Sequence, residues 1–356
     1  MDGINMVSIN GGVLEGGGQI LRTACALSVI TKKPCRVFNI RKKRPKPGLM
    51  PQHLLGIRAI TQLCNGGLEG DQLGSEEIKF YPGQTYRDRV SVRIPTAGSI
   101  TLVLQTLILP ALFASAPVKI TFDGGATDTF FSPTLDYFRY VFLKILEKML
   151  APYRTEGSGS GGAKIEINTQ KRGYYPEGGA EVEVKIHPSK IKSLVLTERG
   201  QLKRILAISG ASEALKDKKV AERQLAGVRE VLGKLKLPIE EKTEYYQIQS
   251  PGSQICLIAE FENTIIGTDN LGKLGKRAED VGKEAALELL KEQKSNACLD
   301  RHSADQILPY LALTRNKSQV TVSEITNHCK TNIWVIEKFI NGKFEIEDNS
   351  ITWNPS

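Results

Sequence analysis

The chain has 356 residues, more than the commonest single domain and enough for a sizeable core plus a second unit. Its 40% hydrophobic and 24% charged residues are ordinary globular values, and the net charge of +9 favours polyanionic partners without requiring one. The six cysteines, Cys25, Cys35, Cys64, Cys256, Cys298 and Cys329, include no C-x-x-C pair, which argues against a zinc cage or a disulfide framework and fits a reducing cytosol.

In chain order, no charged stretch precedes an apolar one at the N-terminus, so no signal peptide is visible. Periodicity predicts a strand at 6–10, a helix over Gln19–Thr31, a strand at 35–40, a helix from Gln52 to Asn65, and strands near 68–70 and 77–81. The order recurs as a strand over Val90–Ile94, a helix over Ser99–Ala116 and a strand over Val118–Phe122. Ser132–Met149 then reads as a helix, with Ser132 as N-cap and Pro133 at its first position. Strands follow at 163–169 and 180–187. The most apolar stretch, Ile100 to Val118, holds Thr101, Gln105, Thr106 and two prolines, so a buried helix explains it better than a membrane span. A third pass comprises helices at 276–292 and 304–314, a strand at 318–323, a helix at 332–341 and a strand at 343–347. Between the second and third passes, a strand over Lys203–Ser209, an amphipathic helix over Asp217–Leu235 and strands at 239–248 and 254–262 form a small α+β insert. The expected fold is therefore α/β, with three repeated units over 1–187 plus 273–356 and an inserted domain over 188–272. The run Gly157–Gly162 reads as a loop rather than a domain boundary.

Several segments could carry chemistry, each with a plainer alternative. Glu15-Gly16-Gly17-Gly18-Gln19-Ile20-Leu21-Arg22 joins a strand to a helix, where backbone N–H groups can approach an anion; Glu15 could serve a divalent metal and Arg22 a phosphate, or the run is a plain glycine turn. The basic run Arg41–Gly48 is an exposed loop, because its prolines bar a helix; its arginines could clamp phosphates, or it is a solvated loop or localisation signal. Gln52 and His53 follow at a helix start, where His53 binds phosphate or caps. Asp305-Gln306, just after His302, opens a helix. There Asp305 is a cap, or a ribose or metal contact. His328 sits between a strand and a helix starting near Thr331-Asn332. The positive helix end would keep its imidazole neutral and nucleophilic, or the residue merely finishes a turn. Gly267–Leu274 matches a P-loop only as far as Lys273. Leu274 stands where a magnesium-binding hydroxyl is needed, so the P-loop reading is set aside.

Taken together these segments resemble the RNA 3′-terminal phosphate cyclase family over nearly the whole chain. The resemblance rests on EGGGQILR (Glu15–Arg22), RPKPGLMPQH (Arg44–His53), SITLVLQTL (Ser99–Leu107), KRGYYPEGG (Lys171–Gly179), ADQ (Ala304–Gln306) and HCKTN (His328–Asn332), in the family's order. It implies three units of helices on a four-stranded sheet with a small insert, and a ligase-type reaction in the cytoplasm. His328 would take AMP from ATP and pass it to the 3′-phosphate of an RNA. The neighbouring 2′-hydroxyl would then close a 2′,3′-cyclic phosphate. By the same match Glu15 serves a divalent ion, Mg or Mn. Arg22, Arg41, Arg44, Gln52, His53, Gln105, Pro133, His302, Ser303, Ala304, Asp305 and Gln306 line the nucleotide site. Several members carry an aromatic residue where His302 stands. His302 is a formal rival nucleophile, and the family's H-x-x-T-N pattern assigns that role to His328. A related branch with the same fold works in ribosome assembly without the chemistry, and the presence of His328, Glu15 and the arginines favours the true cyclases. Repeat-built transferases acting on small phosphorylated metabolites are a third reading, which explains neither the histidine nor the excess positive charge. Neither a membrane partner nor an oligomeric state is indicated.

Overall fold

The computed structural model describes residues 6–151, 165–235 and 238–356, which leaves Gly157–Gly162 outside the described residues. The first unit runs β1 (Val7–Asn10), α1 (Gln19–Thr31), β2 (Cys35–Phe38), α2 (Pro51–Cys64), β3 (Gly67–Glu69) and β4 (Glu77–Tyr81). β1 pairs parallel with β2, β2 antiparallel with β4, and β4 antiparallel with β3. The second unit repeats this path with β5 (Arg89–Ser99), α3 (Ile100–Leu112), β6 (Val118–Ala126), α4 (Leu135–Tyr137), α5 (Leu143–Met149), β7 (Ile165–Lys171) and β8 (Glu181–Ile186). A π-helical segment, Phe138–Phe142, joins α4 to α5.

After β9 (Val195–Leu196) the chain leaves to build the insert: β10 (Leu202–Ser212), α6 (Val220–Leu232), β11 (Ile239–Tyr246), β12 (Ser253–Phe261), β13 (Ile265–Leu271) and α7 (Ala278–Lys294). It returns with α8 (Arg301–Leu311), β14 (Ser318–Thr321), α9 (Asn327–Phe339), β15 (Gly342–Glu347) and β16 (Ser350–Pro355). The sheet order β15-β16-β14-β9 completes a third copy of the same path, whose first strand is β9. The insert's order, β11-β10-β12-β13, differs. The protein is thus three helix-on-sheet units plus a fourth four-stranded sheet. The units share one apolar core, which includes fully buried Trp353 on β16. A second core joins the insert's sheet to α6 and α7 through Leu225, Val228, Val281, Ala285 and Leu289. α7 therefore packs with the insert rather than with the third unit.

Several boundaries differ from the expected ones for local reasons. The expected helix at Ser132 starts at Leu135: Thr134, not Ser132, is the cap, its Oγ1 accepting from Tyr137 N at 3.2 Å. The Thr134 N–H is itself taken by Asp269 Oδ2 at 2.6 Å, so Pro133 stays outside the helix. The expected helix from Asp217 starts at Val220, because Lys219 has φ 49° and breaks it. α9 starts at Asn327 rather than near Thr331, since Thr326 Oγ1 accepts from Cys329 N at 3.1 Å. This capping moves His328 from the preceding loop into the first turn. The periodicity predicts no strand at β9, β13 or β16; β9 is two residues long, too short for alternation to register. The apolar stretch from Ile100 forms α3, buried along almost its whole length among the units, and no helix among the described residues is long and apolar enough to cross a membrane. All six cysteines are buried and unpaired as disulfides.

Candidate active site

Helix α1 packs on α9 and α3, and α8 on α9. That arrangement brings the first turns of α1, α8 and α9 to one cleft of about 430 Å3, a size suited to a small molecule. α1 opens after a glycine with no side-chain cap, so its first N–H groups have no side-chain acceptor. Gly18 must be glycine: a Cβ there would come within 2.0 Å of His53 Nε2. Buried His53 accepts from Met50 N through Nδ1 at 3.2 Å. Burial and then Arg22 and Arg41 push its pKa down to about 3, so it is neutral and serves as a wall beneath the glycine turn.

His328 Nδ1 lies 2.6 Å from Gln19 Oε1, and Gln19 Nε2 donates to Asp305 Oδ2 at 2.8 Å. When Asp305 is ionised it accepts only, and the amide then turns its NH2 to Asp305 and its carbonyl to the ring. Nδ1 of His328 then carries the proton and Nε2 carries the free lone pair. Burial lowers the His328 pKa, and Arg22, Arg44 and His302 push the same way against Glu15. A neutral ring with its tautomer set by a fixed acceptor has the chemistry to act as a nucleophile through Nε2. Glu15 Oε1 is 3.9 Å from that nitrogen and also pairs with Arg44 Nη2.

Arg22 enters the cleft one turn along α1. Burial lowers its pKa to about 10, opposed by Asp305, so it stays cationic at neutral pH. Burial pushes the Asp305 carboxyl up to about 7, opposed by Arg22. Gln105 on α3 donates to Gln306 Oε1 at 2.9 Å, and Gln306 Nε2 in turn holds His302 O at 2.7 Å. Pro133 and exposed His302 form the outer walls, with the His302 ring edge-on to Tyr137 at 6.3 Å. The insert supplies Asp269 from β13, the strand that takes up the P-loop-like run.

Not every residue singled out from the sequence reaches the cleft. Ser303 and Ala304 are fully buried on the opposite face of α8, with Ser303 Oγ donating to Asp300 O at 3.2 Å. Arg41 is held by its own loop, donating to Lys46 O at 2.5 Å and Gly48 O at 3.1 Å. Gln52 sits partly exposed on the first turn of α2. His187 pairs with Glu166 at 3.2 Å, at the end of β8. The KRGYYPEGG run supplies a buried brace instead of a ligand contact. Arg172 donates to Asp128 Oδ2 at 3.1 Å and Asp136 Oδ1 at 2.5 Å and stacks over Tyr246 at 4.8 Å.

Sequence reasoning missed Gln19, Thr23, Thr331 and Asn332 as working parts. Asn332 donates to Asp305 O and accepts from Thr23 Oγ1, each at 2.7 Å, which ties α9 to α8 and α1. Thr331 Oγ1 accepts from Glu15 N at 3.3 Å. Three of the four lie inside the motifs EGGGQILR and HCKTN, so the signal was their membership, though no local pattern assigns them a role.

The family model for RNA 3′-terminal phosphate cyclase matches residues 13–346. Among curated proteins, the chain is 45% identical to an RNA 3′-terminal phosphate cyclase of Thermococcus kodakarensis over 96% of its own length and 94% of that protein. It is 43% identical to the protein of the same name from Pyrococcus abyssi over 96% and 95% of the two chains. The Archaeoglobus fulgidus protein of that name is 41% identical over 97% and 99%.

Proposed function

The chain belongs to the RNA 3′-terminal phosphate cyclase family, and from that premise we propose that it spends ATP to close an RNA 3′-phosphate into a 2′,3′-cyclic phosphate through an AMP carried on His328. The observation that carries this reading is the Asp305–Gln19–His328 relay, which leaves the Nε2 lone pair of a neutral imidazole at the cleft that Arg22 lines. His328 Nε2 attacks the α-phosphorus of ATP; a P–N bond forms, the bond to the bridging oxygen breaks, and pyrophosphate leaves. An oxygen of the RNA 3′-phosphate then attacks the same phosphorus, breaking the P–N bond and giving an RNA carrying AMP on its terminal phosphate. The adjacent 2′-oxygen attacks that 3′-phosphorus, loses its proton, and AMP departs. A phosphate monoester has no good leaving group of its own, and adenylation supplies one. Ring closure then gains from the 2′-hydroxyl being held beside the phosphorus.

Arg22 and the uncapped first turn of α1 would take the charge on the phosphoryl oxygens. Pro133 and His302 would sandwich the adenine, with Gln105 and Gln306 lining the floor between them. Among the described residues no group of three or more His, Cys, Asp or Glu side chains forms a metal cage. Glu15 alone, beside His328 Nε2, fits an ion completed by substrate phosphates and water, as Mg and Mn sites in nucleotide enzymes commonly are. Such an ion would neutralise charge on the phosphates.

The test is label from α-labelled ATP retained on denatured protein without RNA, through an acid-labile, base-stable bond, with γ-labelled ATP leaving none. No retained label on folded, metal-supplied protein sinks the covalent route. A second expectation concerns the ring itself. Nitrogen NMR of His328 should find the Nδ1-protonated tautomer at neutral pH and a titration midpoint below 6.5, the ordinary value from which burial lowers it. Label uptake should accordingly be lost only as pH falls through that lowered midpoint, where the ring gains a proton on Nε2. Gln19→Leu should abolish the tautomer preference and slow self-adenylation by about 10²- to 10⁴-fold, the scale of losing an orienting partner. A midpoint above 6.5, or an Nε2–H ring in the wild type, would remove His328 from the role.

A further inference from the structure

The loop between β2 and α2 carries two kinds of cation in two different states. Its arginines are turned inward: Arg41 is tied to the carbonyls of Lys46 and Gly48, and Arg44 to Glu15. Its lysines, Lys42, Lys43 and Lys46, are exposed, and none pairs with a carboxylate among the described residues. The insert's surface differs, since Arg204, Arg223, Arg229, Lys242 and Lys283 all sit on glutamates there. Lys42, Lys43 and Lys46 thus leave three uncompensated charges at this loop, while many of the insert's cations are paired.

The loop's place matters as much as its charge. It lies against the glycine turn that feeds α1: a Cβ on Gly12 would lie 3.6 Å from Lys42 Cβ, and one on Gly17 would lie 3.4 Å from Arg44 Nη2. Arg44 leads through Glu15 to His328 Nε2. The lysines thus form a cationic rim on one side of the nucleophile. Another wall of the cleft is built of the rings of Phe131, Pro133 and His302.

Resting on the reading that an RNA 3′-phosphate reacts beside His328, we propose that Lys42, Lys43 and Lys46 form the track for the phosphodiester backbone immediately 5′ of the terminal nucleotide. Ammonium groups on flexible stems act as point charges. They follow a backbone and read no base edges, so the track takes single-stranded RNA irrespective of sequence. The loop arginines are left out of the track because each is anchored inward through one guanidinium nitrogen, Arg41 Nη1 to the loop and Arg44 Nη2 to Glu15.

The test is equilibrium binding of a fluorescent 3′-phosphorylated oligoribonucleotide to the full chain, without ATP, across a range of salt. The variants are Lys42→Gln/Lys43→Gln/Lys46→Gln and the corresponding triple Lys→Arg. For single strands each neutralised phosphate contributes about 0.7 to the slope of log affinity against log salt, so the Gln variant should lose about 2 from the slope. Its affinity should fall on the order of tenfold at low salt and converge on the wild type at high salt, equally for two unrelated sequences. The Arg variant should keep the wild-type slope. An unchanged slope in the Gln variant overturns the track and leaves the cyclase reading intact. Equal losses in both variants mean loop damage rather than lost charge, and overturn it too. A wild type that binds no RNA overturns the RNA reading itself and the track with it.

Discussion

His328→Ala takes up no label from α-labelled ATP and closes no cyclic phosphate, a loss of at least about 10⁴-fold on the scale of removing a covalent nucleophile. The loss is chemical and not structural. The ring is half exposed, and its side-chain hydrogen bond to Gln19 is worth about 1 kcal/mol of stability. Urea unfolding should therefore move little. His302→Ala keeps the label, since that ring stands on the cleft wall beside Tyr137 and, among the described residues, no acceptor orients either of its nitrogens in the way Gln19 orients His328. An RNA already carrying AMP on its 3′-phosphate should still be cyclised by His328→Ala at a measurable rate, because the histidine's work is finished by that stage. Wild-type labelling of His328→Ala would transfer the nucleophile elsewhere, with His302 examined first.

The second large effect is on stability, and it comes from a motif that looks functional in the sequence. Arg172 is buried between Asp128 and Asp136, each only 1% exposed, with Gln254 Nε2 donating to the far oxygen of Asp136 at 3.2 Å. Asp128 and Asp136 belong to the second unit and Gln254 to the insert, so the cluster joins the two. Arg172→Met keeps the apolar stem and deletes the cation, leaving two buried carboxylates facing each other. The expected cost is about 3–5 kcal/mol, read as a lowered urea midpoint at neutral pH. Burial already raises the Asp128 carboxyl above its ordinary 3.8 even with Arg172 present, and removing the guanidinium raises it further. A group whose folded value is raised favours folding most when protonated, so the variant's deficit should shrink as pH falls from 8 toward 5. Adding Asp128→Asn and Asp136→Asn should return much of the loss. A deficit under about 1 kcal/mol, or one that grows in acid, would show that the cluster is not the brace between second unit and insert.

The two predictions separate what was legible in the chain from what was not. Regular elements followed from side-chain period and from punctuation by glycine and proline, since those act within a turn or two. α1, α2, α3 and the strands that flank them fell close to their expected positions for that reason. Repetition of the pattern implied three like units, and the sheet orders repeat the same path in each. The family resemblance drew on short runs whose letters are quoted above, and family comparison placed the chain among the cyclases. Local rules faltered where a tertiary partner competes for a local group. Thr134 caps its helix while its own N–H is held by Asp269, 135 residues away, so Ser132 lost the cap. β9 earns its place as a strand only by pairing with β14 across the whole insert.

The site followed the same division. Residue types and spacing left His328, Arg22, Glu15 and Asp305 as candidates beside plainer readings, and the family resemblance gave them their expected roles. Their working state was not. The free nitrogen of His328 is set by Gln19, 309 residues earlier, and Gln19 is itself oriented by Asp305, 286 residues later. Equally, Ala304 and Asp305 are neighbours in one motif, yet the rotation of about 100° between adjacent helical residues sends Ala304 into the core and Asp305 to the cleft. Arg172 and Arg44 both sit in basic, proline-bearing motifs, but one ends between buried carboxylates and the other against Glu15. Composition and period can state which groups a chain possesses. Which of them are desolvated, paired or aimed depends on contacts between distant segments, and only packing the three units together creates those.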